Sequence, residues 1–132
     1  MKKLFIIFIV SYLFFGCGRT DMSNEAIRIV QNHKLPNGYT INETLSKIFS
    51  DLEQEVKVMS MTKTTIRWIA FPIDPPYIYD VGCGFAPPET TTETLGDKLR
   101  ILSSMMFQWR VNVKTKEVTP QTYHAQYLLQ LK

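Results

Sequence analysis

The sequence predicts an α+β fold, and three observations carry that expectation. Apolar residues recur every three or four positions up to about residue 53, alternate with polar ones through the middle of the chain, and return to helical spacing after residue 120. Segregated helices beside alternating strands imply an antiparallel sheet of about four strands, with two N-terminal helices and one C-terminal helix packed on it. The chain has 132 residues, 45% of them hydrophobic, which suits one domain over residues 23–132 with a core of its own.

The first helix is expected over residues 23–34. Ser23 and Asn24 are capping types, Glu25 suits a first turn, and Ala26, Ile29, Val30 and His33 fall at helical spacing. Pro36-Asn37-Gly38 should end it. Thr40 followed by Glu43 is a capping box, in which each side chain satisfies the other residue's backbone N–H. Ile41, Leu45, Ile48, Phe49 and Leu52 then share one face, which predicts a second helix over 41–53. Asp51, Glu53 and Glu55 read as its solvated acidic end.

From Val56 the period reads as two. Val56 and Val58 suggest a first strand, and Thr65, Arg67, Ile69 and Phe71 alternate with Ile66, Trp68 and Ala70 in a second, the two joined near Thr62-Lys63-Thr64. The prolines of Asp74-Pro75-Pro76-Tyr77 mark a loop, and Tyr77 to Phe85 a third strand. Ala86 to Gly96, with Pro87-Pro88 and four threonines, reads as a surface loop of the kind that can carry binding. Leu95, Leu99 and Leu102 fit a short helix or a continuing strand, and both remain open for residues 95–104.

In the segment Met105 to Lys114, Phe107, Trp109, Val111 and Val113 alternate with polar positions, as in a strand with one solvated face. A turn at Lys114–Glu117 follows. Thr119 as cap and Pro120 at the first helical position then open a helix over 120–130, with Tyr123, Tyr127, Leu128 and Leu131 as its apolar stripe.

The start of the chain is of another kind. Lys2 and Lys3 precede Leu4–Phe15, which is apolar apart from Ser11 and Tyr12, and Gly16-Cys17-Gly18 follows. A bilayer span needs ~20 apolar residues, so this run fits a secretory leader better than a permanent span. Gly16 followed by Cys17 resembles the processing site of bacterial lipoproteins, although Phe14 stands where that family usually has leucine.

The resemblance covers the first eighteen residues. It implies a signal peptide over residues 1–16, diacylglycerol on Cys17, cleavage before it, a short tether over 17–22, and a lipid-anchored place in the bacterial cell envelope. Gly18 is not the aspartate that resembles an inner-membrane retention signal, which favours the outer membrane. An uncleaved signal anchor, in which a Cys17–Cys83 bridge is conceivable, is the alternative. Ile29-Val30-Gln31-Asn32 leading to Asn37-Gly38-Tyr39-Thr40 also resembles the opening of small lipoproteins of bacteria and their mobile elements, and implies no enzymatic activity.

The chemistry in the remainder is sparse. Subtracting Lys2 and Lys3 from the formal charge of +3 leaves +1, too little for nucleic-acid binding. With Cys17 acylated, Cys83 has no partner for an internal disulfide and reads as a buried thiol. His33 and His124 have no companion at metal spacing, and neither a nucleophile elbow nor a phosphate loop occurs, so no catalytic, cofactor-binding or metal residue is assigned. Trp68, Tyr77, Tyr79 and Trp109 read first as sheet packing and second as a platform for a peptide or glycan. The expectation is a non-enzymatic envelope lipoprotein that contacts the membrane through its lipid and an envelope protein through its folded part. A periplasmic or surface binding module is the alternative.

Overall fold

The computed structural model describes residues 21–59, 65–74 and 76–131. Over that span the order is α1 (Ser23–Asn32), α2 (Ile41–Met59), β1 (Thr65–Asp74), β2 (Ile78–Ala86), α3 (Leu95–Ser103), β3 (Phe107–Asn112), β4 (Glu117–Pro120) and α4 (Tyr123–Leu129). Among the described residues there are thus four helices and one antiparallel sheet, ordered β1-β2-β3-β4, and the fold is α+β. The leader, Cys17, the first part of the tether and the Thr62-Lys63-Thr64 turn lie outside the described residues.

The capping box forms as expected. Thr40 N–H donates to Glu43 Oε2 at 2.9 Å and Glu43 N–H to Thr40 Oγ1 at 3.1 Å. Before it, Gly38 takes a φ of +88°, and its N–H donates to Leu35 O at 2.9 Å, so the Pro36-Asn37-Gly38 turn closes where the sequence places it. Helix α1 is shorter than expected, ending at Asn32, because Lys34 pairs with Thr40 in an isolated bridge. Its N-cap is Met22 rather than Ser23 or Asn24. The side chain serving that end is Asp21, whose Oδ1 accepts from Ser23 N–H at 3.0 Å and also from the Ser23 hydroxyl.

The strand expected at Val56–Val58 is instead the last part of α2, which runs on to Met59. Continuing the spacing of Leu45, Ile48 and Leu52 reaches Val56 and Met59, so the period of 3.6 persists through residues that also match a period of two. Gln54, Glu55 and Lys57 are good helix formers, and no glycine or proline interrupts the helix there.

The fourth strand comes from the other end of the chain. Thr119 and Pro120, expected to open a helix, pair with Arg110 and Trp109 as the end of β4. Proline is tolerated there because β4 is an edge strand. Helix α4 starts later, capped by Thr122. That hydroxyl accepts from Ala125 N–H at 3.3 Å and from Gln108 N–H at 3.2 Å, and donates to Met106 O at 2.6 Å. Ala125 and Leu128 are the residues α4 buries, whereas Tyr123 and Tyr127 are exposed. Residues 95–103 form a helix between β2 and β3, opened by a Thr94–Asp97 capping box.

Alternation divides the sheet into two faces. Trp68, Ala70, Tyr79, Val81, Cys83, Phe107, Trp109 and Val111 join Ala26 and Val30 of α1, Ile41, Leu45 and Phe49 of α2 and Leu128 of α4 in the larger core. Trp109 is its centre, fully buried and stacked with Trp68 at 6.0 Å and Phe107 at 6.3 Å between ring centroids. β1 and β3 are two strand spacings apart, roughly 10 Å. The two indoles therefore lean together over β2, where Val81 and Cys83 are small. On the opposite face Ile69, Ala86, Leu102 and Met105 form a smaller core that seats α3. Gly82 makes that seat possible, because a Cβ there would overlap Leu102 Cδ1 and stand 2.9 Å from Met105 Sδ.

Candidate functional site

The polar centre of the molecule lies under the Pro/Thr-rich loop. Arg67 belongs to the period-two set with Ile69 and Phe71, so β1 aims it at the α3 face among apolar neighbours. Such a cation needs a partner, and Glu93 supplies it. Arg67 Nη1 donates to Glu93 Oε2 at 3.1 Å and to Pro87 O at 3.1 Å, and Arg67 Nη2 donates to Glu93 Oε1 at 2.7 Å. Both side chains are more than nine-tenths buried. The hydrogen bonds from Arg67, and less so its charge and that of Lys98, hold the Glu93 carboxyl below the usual range against the opposing effect of desolvation.

This pair fastens the segment after β2 to the sheet. Beside it an open cleft of about 420 Å³ is lined by Arg67, Pro87, Thr90, Glu93, Asp97 and Arg100. The loop that the sequence marks as a possible binding loop thus forms one wall of a cleft whose floor is an ion pair. Sequence reasoning missed Arg67 and Glu93. The available signal was an arginine on the apolar face of a strand, with carboxylates only in the loop that follows β2.

A second depression of about 370 Å³ runs along α1 and includes Arg28, His33, Lys34 and Lys116. His124 sits edge-on to Phe107 at 5.9 Å, so it serves as an aromatic neighbour at the rim of the larger core. Among the described residues no group of three His, Cys, Asp or Glu side chains is close enough to hold a metal ion. Cys83 is fully buried between Trp68 and Phe107 in the ladder, and burial pushes its thiol far above the usual range, which leaves almost no thiolate for reaction.

The aromatic residues do not form one exposed surface. Trp109 and Tyr79 are buried and Trp68 is half-buried, while Tyr77 is exposed in the turn before β2 and carries Lys114 Nζ 5.6 Å from its ring centroid. Tyr79 has a different task. Its hydroxyl accepts from Met22 N–H at 3.2 Å and so fixes the entrance to α1. No described helix is long and apolar enough to cross a membrane. No family model, curated protein or solved structure matches the chain.

Proposed function

We propose that the chain is a non-enzymatic lipoprotein of the bacterial cell envelope, anchored by acylated Cys17 and acting through contact with another envelope protein, as an accessory component of a membrane or secretion assembly. The observation that carries this reading is Gly16-Cys17 directly after a short apolar leader with a basic start. Two features support it. Cys83 is buried, so a working thiol is not what the second cysteine offers. Met22, whose N–H is tied to the Tyr79 hydroxyl, comes five residues after Cys17, which suits a domain held close to its anchor. Several acyl chains, each methylene contributing ~0.8 kcal/mol, hold such a protein at a bilayer almost permanently. Gly18 favours the outer membrane.

Metabolic labelling with an alkyne fatty acid tests the reading. The wild-type chain should take up the label and fractionate with membranes, and Cys17→Ala should do neither. Equal labelling of the two would contradict the proposal. A module that holds a peptide or glycan is the second reading, and the cleft beside Arg67 is what favours it. Ligand-dependent thermal shifts that vanish on changing Thr90 or Arg100 would move the assignment there.

A further inference from the structure

The depression along α1 gathers positive charge from separate parts of the chain. Glu25, Arg28, Ile29 and Asn32 stand at i, i+3, i+4 and i+7, so they share one side of the helix, beside the stripe of Ala26 and Val30 that it buries. Lys34, just past the end of α1, and Lys116, in the turn between β3 and β4, complete the wall. Three cations against one carboxylate leave 3 − 1 = +2 in about 370 Å³, more than the +1 of the whole chain without Lys2 and Lys3. Arg28 meets Glu25 only at 3.4 Å and at an exposed position, where such a pair is weak. Among the described residues neither lysine enters an ion pair. Lys116 holds a φ of +61°, a conformation that glycine takes at less cost. The turn fixes it: Lys116 N–H donates to Asn112 O at 2.7 Å, and Asn112 Oδ1 accepts from Lys114 and Thr115 N–H at 3.0 and 3.1 Å. The lysine is thus presented in a set place beside α1, where glycine would supply the same turn and no charge.

An anion with several acceptor oxygens matches donors grouped in this way, and phosphate esters are of that kind. The chain itself indicates the source. Met22, tied to the Tyr79 hydroxyl, stands at the start of α1, and the depression runs along that same helix from its first turn. From Cys17 to Met22 there are five residues, at most about 18 Å when extended. Helix α1 is about 15 Å long, so a tether of that reach lets it lie along a bilayer that holds the acyl chains of Cys17. We propose that the depression seats the phosphate of an anionic lipid headgroup of the phosphatidylglycerol kind, with Arg28, Lys34 and Lys116 around its oxygens. The inference rests on the anchor reading above and names the surface that the anchored domain turns toward the membrane. Asn32 adds a neutral donor and acceptor for headgroup hydroxyls.

The test uses the full, acylated chain in two kinds of vesicle, phosphatidylethanolamine mixed with phosphatidylglycerol or with phosphatidylcholine. Mass spectrometry reads the rate at which an amine-acylating reagent modifies each lysine. Lys98, on α3 across the sheet, is the control. Modification of Lys34 and Lys116 should be several-fold slower with phosphatidylglycerol than with phosphatidylcholine, Lys98 should not change, and the protection should fade at high salt. Arg28→Gln, at an exposed position, should lose most of the protection and Arg28→Lys should keep it. Equal rates at Lys34 and Lys116 in the two vesicles, in protein that floats with both, overturn the headgroup site and leave the anchor standing. Slowing shared equally by Lys98 belongs to the vesicle charge as a whole and overturns it too, as does protection that survives Arg28→Gln unchanged. Protection brought on by free glycerol phosphate but not by phosphatidylglycerol overturns it in favour of a soluble phosphate ester. Failure to float contradicts the anchor and removes the inference with it.

Discussion

Arg67 of β1 and Glu93, twenty-six residues later, meet through two hydrogen bonds of 3.1 and 2.7 Å with both side chains almost wholly buried. Removing one partner of such a pair leaves a charge stranded and typically costs about 3–5 kcal/mol. Arg67→Ala and Glu93→Gln should each lower stability to urea by that order, and the double variant should lose much less than the sum. Strict additivity in the double-mutant cycle would show that the pair does not act as a unit.

The same pair sets a dependence on pH. Because the Glu93 carboxyl is held below its ordinary value of 4.5, its contribution is complete above that pH and fades as pH falls through the lower, folded value. The gap in melting temperature between wild type and Glu93→Gln should be constant from neutrality to about pH 5 and shrink below it. A gap that widens on acidification would reverse the sign argued here.

Gly82→Ala tests the seat of α3. The added methyl overlaps Leu102 Cδ1 and meets Met105 Sδ at 2.9 Å, so the helix must shift or Leu102 must change rotamer. Overpacking of this kind costs about 1–3 kcal/mol, and Leu102→Ala in the same chain should recover part of it. Gly84→Ala faces only the flexible Met105 side chain at 3.3 Å and should cost less.

Three parts of the fold were legible because their signals are local. The Thr40–Glu43 box, the Pro36-Asn37-Gly38 turn and the alternation around Trp109 each depend on side chains a few positions apart. Two others were decided at a distance. Thr119 and Pro120 carry a good helix-start pattern, but pairing with Arg110 and Trp109 recruits them to the sheet. Val56 and Val58 matched a period of two over too few residues to compete with the longer helical period before them. The Thr94–Asp97 box was written in the sequence and would have settled residues 95–104 as a helix. In the candidate site, the place of Arg67 on an apolar strand face was a signal that the sequence reading passed over, and its partner lies across a loop whose path no local pattern specifies.

The cap of α4 distinguishes Thr119 from Thr122. Thr122→Ala removes bonds to Ala125, Gln108 and Met106 and should cost about 1–2 kcal/mol, while Thr119→Ala, on an exposed edge position, should stay within about 0.5 kcal/mol. Chemical denaturation of the two variants reads the difference directly. A larger loss at Thr119 would place the helix start where the sequence alone suggested.

Cys83 should react with iodoacetamide only as fast as the core opens, because its thiol is buried and held protonated. Labelling should be slow at neutral pH and accelerate steeply through the urea transition. Rapid modification of the folded chain would reopen Cys83 as a working thiol.

The account as a whole turns on what happens to Cys17. Intact mass spectrometry of the protein extracted from bacterial membranes measures it directly: the mature chain should begin at Cys17, lack residues 1–16 and carry the mass of a diacylglyceryl group on its first residue. A chain that retains Met1, or one that begins elsewhere with an unmodified cysteine, would contradict it.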